Sequence, residues 1–481
     1  MPKRISTALL GCALLVASLA AAPTAQAAPA HRHAAKAVRF VPAVSGHIVR
    51  KTLSFPPTTA YCRANLGISC YRPSQYQRAY NLRPLYRDGI TGAGRTIVIV
   101  DAFGSPTIKD DLKVFDQTFG LPDPPSFDVI EPAGAVPPYP DDPFGKDDRS
   151  GWAQETTLDV EYAHAIAPGA NILLVATPQS ETEGVQGLPQ IVAAENYVLN
   201  HNLGDVITQS FGATENTFPS KHRLLKLRSA VTKAYQLGVP MLASSGDAGA
   251  TDYESDLSTL YPFPVNSWPS ADPLTTSIGG TQLNLDGVGR RLSPDVVWND
   301  GYGATGGGPS HVFARPAYQD PVANVVGDSR GTPDISMSAA VDGAAVFYYS
   351  FCDYTRADPS TGQPPLCGPQ WHVVGGTSEA SPLFAGIIAL ADQTAGRRIG
   401  QLNPTLYSLG TDGGPTSVAN GLVDVTSGDN SFPVCVANCG QPNEVDKTVQ
   451  GFPALVGYDM STGLGTVNGN RFVHRLAAAA G

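Results

Sequence analysis

Between Arg95 and Asp247, β-branched runs alternate with helical patterns, and that alternation admits few folds. Thr96-Ile97-Val98-Ile99-Val100 is a continuous apolar run ending at Asp101, and Asn171-Ile172-Leu173-Leu174-Val175 is a second. Runs without polar alternation suit strands buried on both faces of a parallel sheet. Residues 191–200 and 224–237 read as helices, the second stopped by Gly238, while residues 205–208 and 239–243 read as strands. This β-α-β rhythm predicts an α/β fold with a mostly parallel, doubly wound sheet. Ligands of such sheets bind beyond the carboxyl ends of the strands, where Asp101, Ser210 and Asp247 all fall. Residues from about 279 to 334, rich in Gly and Pro, read as long loops and hairpins.

The stretch Gly375-Gly376-Thr377-Ser378-Glu379-Ala380-Ser381-Pro382 precedes the apolar run Leu383 to Leu390. Two glycines permit a tight, closely approaching backbone. Pro382 is tolerated in a first helical turn, where a missing N–H costs nothing. Ser378 then sits at the positive end of a helix, where free N–H groups meet a developing oxyanion. Taken alone, the octapeptide reads equally well as an ordinary capped core helix.

A second helix is expected over residues 152–166, with Leu158, Tyr162, Ala165 and Ile166 at helical spacing and Pro168-Gly169 as its stop. Glu155 and Asp159 are four apart and share one face, where two like charges repel. Most such pairs are merely solvated. The functional alternative is a coupled pair sharing a proton, one carboxylate acting as base toward a serine. In acid a histidine, with a reference pKa of about 6.5, is already protonated and useless as a base, whereas a glutamate at about 4.3 is not. A protonated Asp247 would in turn donate a hydrogen bond to an oxyanion.

Lys3 and Arg4 before the apolar run 8–22, with Ala25-Gln26-Ala27 following, have the form of a secretory signal over residues 1–27. The run is too short for a membrane span, and no other segment is apolar enough to form one. Residues 28–65 form a short basic extension or pro-segment, and residues 66–481 the main domain. Without Cys12, six cysteines remain for an oxidising compartment. Short loops make Cys62/Cys70, Cys352/Cys367 and Cys435/Cys439 the simplest pairs. A formal net charge of −10 argues against a nucleic-acid surface.

From Cys70 onward the chain resembles the sedolisin family, the serine-carboxyl peptidases of subtilisin-like fold. The resemblance rests on Gly376-Thr377-Ser378-x-x-x-Pro382, Glu155-x-x-x-Asp159 before Ala167-Pro168-Gly169-Ala170, and Ser245-Gly246-Asp247. Gly306-Gly307-Gly308-x-Ser310, with Phe313, Pro316, Tyr318 and Gln319, and Pro333-Asp334-Ile335-Ser336 are similar to further stretches of these proteins. It implies a central parallel sheet with helices on both faces, Ser378 as nucleophile, Glu155 as base, Asp159 as its partner and Asp247 at the oxyanion. Asp424-Val425-Thr426-x-Gly428-x-Asn430 and Gly457-Tyr458-Asp459 resemble the family's calcium site. Carried over by position, Ca²⁺ would take the carboxylates of Asp424 and Asp459 and the carbonyls of Val425, Leu455 and Gly457, hard oxygen ligands that suit it. Read without the resemblance, these are ordinary Asp/Gly turns.

The implied protein is a secreted, monomeric peptidase acting on peptides or unfolded proteins in acid, as an endopeptidase or tripeptidyl-peptidase, without membrane or nucleic-acid partners. The chain departs from the family pattern in its short pro-segment, in Leu455 where glycine is common, and in Tyr458 and Phe211 where tryptophan is common. Two rival readings stand beside this one. A subtilisin-type Ser/His/Asp peptidase would use Asp101 but lacks a His-Gly-Thr-His motif, and His164 lies late on the acidic helix. The other is an inactive secreted binding protein on the same fold, since fold does not fix function.

Overall fold

The computed structural model describes residues 37–39, 47–49, 53–137, 148–351, 369–411, 418–441 and 443–479. The signal stretch, Cys352 and Cys367 lie outside them. The central sheet runs β1 (Thr96–Ala102), β2 (Phe127–Ile130), β3 (Asn171–Thr177), β4 (Val206–Gln209), β5 (Met241–Ser244), β6 (Thr276–Gln282), β7 (Val296–Val297) and β8 (Ile335–Ser338). Their spatial order is β7-β6-β5-β4-β1-β3-β2, with β8 also paired to β6. Every pairing is parallel except that of β7 with β6.

The unbroken apolar runs are explained by two cores. Ile97, Ile99, Ile172 and Leu174 point into one cluster, and Val98, Val100, Leu173 and Val175 into another. Successive side chains of a strand face opposite sides, so a sheet covered on both faces needs no polar alternation. The helices divide accordingly. α1 (Pro73–Ala79), α2 (Ile108–Phe119), α3 (Asp148–Ile166) and α6 (Thr377–Ala395) contribute to the first core. α4 (Leu188–His201) and α5 (Ser229–Leu237) cover the second. α7 (Leu402–Thr411) and α8 (Gly469–Ala479) close the first.

One expected helix is split. Residues 221–225 form a separate turn, and α5 begins only at Ser229. Between them Arg228 is drawn to Asp272, with bonds of 2.6 and 2.8 Å, and stacks over Phe313. That tertiary anchor overrides a favourable helical sequence.

A second sheet holds β9 (Ala344–Tyr349) antiparallel to β10 (Gln370–Gly375), with Cys70–Tyr71 beside β9. The strand His47–Val49 pairs with β10, His47 opposite Gly375, and Ala37–Arg39 pairs with His47–Val49. Disulfides join Cys62 to Cys70 and Cys435 to Cys439. Among the described residues no helix is long and apolar enough to cross a membrane.

β10 delivers the chain directly to α6, the buried helix of the fold. Gly376, at φ +153°, makes the turn between them and donates its N–H to Ala339 O at 2.6 Å. α6 lies close against α3: a Cβ on Gly386 would meet Ile166 Cβ at 2.6 Å. These two helices carry the residues singled out from the sequence.

Candidate active site

Ser378 is the second residue of α6 and is fully buried. The first turn of that helix is fastened by three hydroxyls from the ends of two strands, β4 and β5. Ser244, closing β5, donates to Thr377 O at 2.9 Å. Ser210, just beyond β4, donates to Ser378 O at 3.5 Å. Thr208 and Ser381 share a hydrogen bond of 2.7 Å. The parallel sheet thus places its carboxyl ends under a helix N-terminus, the usual position for a ligand site in this architecture.

Asp247 follows β5 by three residues. Its Oδ1 accepts the Thr377 N–H at 2.8 Å and the Thr377 hydroxyl at 2.7 Å. The Gly246 N–H donates to Thr377 Oγ1 at 3.2 Å. Asp247 and Ser378 are therefore held to a common anchor, Thr377, although 131 residues of sequence separate them.

Glu155 and Asp159 lie on α3, both fully buried. Burial, then the neighbouring Asp101 and Glu155 carboxyls, push Asp159 well above the usual carboxylate range, while the Ser210 hydroxyl opposes the shift. Asp101, near the end of β1, is itself pushed up to about 7 by burial, against a weaker influence of the Thr156 hydroxyl. The site therefore gathers three carboxyls, Asp101, Glu155 and Asp159, where the helix pattern alone shows two. Ser210 links this group to α6, since it faces Asp159 and donates to Ser378 O.

His164 is turned away. Its Nε2 lies 2.8 Å from Pro122 O and 3.3 Å from Asp116 Oδ1, inside the α2–α3 packing. Phe211 is buried and lies beside Trp152, their rings 6.3 Å apart. Glu379, adjacent to Ser378, is fully buried as well.

The residues expected to hold calcium come from two segments that meet in the fold. Asp424 Oδ2 accepts the Gly457 N–H at 3.0 Å, and Asp459 Oδ2 accepts the Leu455 N–H at 3.0 Å. Asp459 Oδ1 takes N–H bonds from Ser461 and Thr462, which fixes its direction. Two carboxyls, one of them buried, facing one loop form an oxygen donor set of the kind that suits a hard divalent cation.

The order of the sheet and the serine-bearing helix beneath its strand ends define the subtilisin-like α/β fold. A solved structure of Pseudomonas sedolisin, a serine-carboxyl proteinase complexed with pseudo-iodotyrostatin, superposes with a TM-score of 0.66 at 25% identity, covering 84% of this chain and 97% of that one. Kumamolisin of Bacillus sp. (strain MN-32) is 30% identical over 420 residues, covering 86% of this chain and 64% of its own length. Sedolisin of Pseudomonas sp. (strain 101) is 28% identical, covering 79% and 57% respectively. Tripeptidyl-peptidase 1 of Homo sapiens is 29% identical, covering 67% and 52%. No family model matches the chain. The chain belongs to the sedolisin family of serine-carboxyl peptidases, and spans less than two thirds of the length of these curated relatives.

Proposed function

We propose that this protein is an acid-acting serine-carboxyl peptidase that hydrolyses peptide bonds through Ser378, Glu155, Asp159 and Asp247. The observation that supports this most directly is the pair of hydrogen bonds that Thr377 donates to Asp247 Oδ1, which sets a carboxyl beside a buried serine at a helix N-terminus. His164, the histidine of the acidic helix, is engaged elsewhere.

Ser378 Oγ attacks the scissile carbonyl carbon as Glu155 takes the hydroxyl proton. The C–N bond then breaks as Glu155 returns that proton to the leaving amine, and water releases the acyl group by the same steps reversed. Asp159 holds a proton at working pH, because burial and two neighbouring carboxyls disfavour its charge. A protonated Asp159 donates to Glu155 and keeps it ionised in acid, where an isolated pair would lose both charges. Oδ1 of Asp247 already accepts two bonds, so the proton of a neutral Asp247 belongs on Oδ2. From there it meets the oxyanion together with the Ser378 N–H. The substrate backbone lies extended along Ser210-Phe211-Gly212 and Ser245-Gly246.

Ca²⁺ held by Asp424, Asp459 and the carbonyls of Val425, Leu455 and Gly457 would tie two segments some thirty residues apart, stabilising the fold without entering the chemistry. The protein is secreted and acts as a monomer on peptides and unfolded proteins.

Cleavage of a peptide library from about pH 3 to about pH 9, with wild type and Ser378→Ala, tests the proposal. A bell-shaped profile centred in acid and abolished in Ser378→Ala is expected. An optimum above neutrality would overturn the carboxylate base. A protein inert at every pH with calcium supplied would favour the binding-protein reading.

A further inference from the structure

Glu379 is the third residue of α6 and follows Ser378 directly, yet the proposed chemistry leaves it unused. Successive residues of a helix diverge by about 100°, so its side chain leaves α6 in a different direction from Ser378. It is fully buried. Hydroxyls of Tyr76 on α1 and Ser338 on β8 face its carboxyl, as does the Ala345 N–H of β9. The Tyr162 hydroxyl of α3 and the Tyr80 hydroxyl beyond α1 lie in the same field. Tyr76 is further tied to Gly343 O at 3.1 Å and Tyr162 to Val346 O at 2.8 Å. Among the described residues no lysine, arginine or histidine acts on this carboxyl, so nothing compensates a charge there. Hydroxyls serve a neutral acid as well as a carboxylate, but a buried anion without a cation is costly.

The geometry also couples the two neighbours. α3 presents Glu155 and Asp159 and, one turn further, Tyr162 in the field of Glu379. Glu379 and the helix that carries Glu155 thus meet at Tyr162.

We infer that Glu379 is a positioning residue for Ser378: its uncharged, fully buried carboxyl packs the first turn of α6 against Tyr76 and Ser338, and loss of its proton switches the peptidase off towards neutral pH. This rests on Ser378 being the nucleophile. The helix N-terminus favours a carboxylate only modestly. Burial outweighs that, and it holds the Glu379 carboxyl well above the usual range.

The experiment compares wild type with Glu379→Gln, which keeps the shape and cannot ionise, and with Glu379→Met should the amide not fold. Expected are a kcat within about threefold of wild type at about pH 4, an unchanged KM, and a half-point of the alkaline limb raised by about one pH unit or more. Glu195→Gln, on the far face of the sheet, is the control for general stability and should leave that half-point in place. If Asp247 alone sets the limb, Glu379→Gln leaves it unmoved and the inference falls. It falls equally if Glu195→Gln moves the limb as far. A melting arm is independent of peptidase activity: Glu379→Gln in a Ser378→Ala background should melt higher than its parent at about pH 7 and level with it at about pH 4. Equal melting at both overturns the neutral-carboxyl role, whereas lack of cleavage by every variant overturns only the peptidase reading.

Discussion

Asp247 and Thr377, 130 residues apart in sequence, are joined by two hydrogen bonds to one oxygen: Oδ1 of Asp247 accepts the Thr377 N–H at 2.8 Å and the hydroxyl at 2.7 Å. In the proposed chemistry the aspartate therefore has two separable duties, bracing the Thr377 turn through Oδ1 and meeting the oxyanion through the other oxygen. Asp247→Ala removes both. An oxyanion donor of this kind is worth ~3 kcal/mol of barrier, so kcat should fall ~100-fold with KM little changed. Loss of the buried acceptor should also lower the melting temperature. Asp247→Asn keeps an acceptor for Thr377 and supplies an N–H that does not titrate. It should recover the melting temperature and part of kcat, as parallel kinetics and calorimetry would show.

Glu155 and His164 occupy the same helix with opposite orientations, and substitution separates their roles. Glu155→Gln should abolish turnover while folding is retained, since the amide cannot take a proton. His164→Gln should keep acid turnover and cost on the order of 1–3 kcal/mol of stability through its Pro122 and Asp116 contacts. Loss of activity in His164→Gln alone would transfer the role of base to a histidine.

Much of this arrangement is legible in the sequence, for physical reasons. β1 and β3 are buried on both faces, so their β-branched runs stand out, and strand ends in a parallel sheet point to a site. Glu155 and Asp159 show because helical spacing is local. Asp101 is different: the sequence puts it at a strand end, but its meeting with Asp159 depends on α3 lying over β1, a long-range contact. Glu379 is hidden for another reason. An acidic residue in a first helical turn reads as an ordinary complement to the helix dipole, and only burial against Tyr76 and Ser338 distinguishes it. The strand His47–Val49 lies in a polar extension with no alternation to mark it, and its pairing with β10 is a tertiary event.

Several carboxyls outside the site are buried, and their titration predicts the pH at which the fold fails. Burial pushes Glu195 and Asp392 up to about 8 and Glu215 to about 7. Their folded-state values exceed those of the unfolded chain, so their contribution is complete below about pH 4 and is lost as pH rises through 7 to 8. Melting temperature should therefore fall steadily between about pH 5 and about pH 8. Glu195→Gln should flatten that fall, by an amount on the order of a few kcal/mol at the upper end. A melting temperature that rises toward neutrality would contradict the burial of these groups.

Calcium removal should act on stability rather than on chemistry. Chelation should lower the melting temperature, and added Ca²⁺ should restore it, the stabilisation growing with free Ca²⁺ as mass action requires. Asp459→Asn should remove this calcium response, because Asp459 is the buried carboxyl of the set. Mg²⁺ should substitute poorly, since it resists dehydration and demands a stricter octahedron. Calorimetry at several calcium concentrations reads all three. A calcium response undiminished in Asp459→Asn would place the ion elsewhere.

His372 sets the opposite, acid limit. It stands on β10, six residues before Ser378, fully buried against Phe347 and Tyr349. Burial lowers its pKa to about 4, so the fold holds it neutral. A depressed folded value contributes stability that is complete above the unfolded value of about 6.5 and is lost as pH falls through about 4. This runs against the buried carboxyls, whose contribution grows in the same direction. The two trends leave a stability maximum in mild acid, and below it the strand that delivers Ser378 is the first to carry an uncompensated charge. His372→Phe, matching its aromatic neighbours, should extend stability and activity downward in pH by removing that charge. Melting curves and residual cleavage from about pH 2 to about pH 5 are the measurements. An acid limit identical to that of wild type would show that another group fails first.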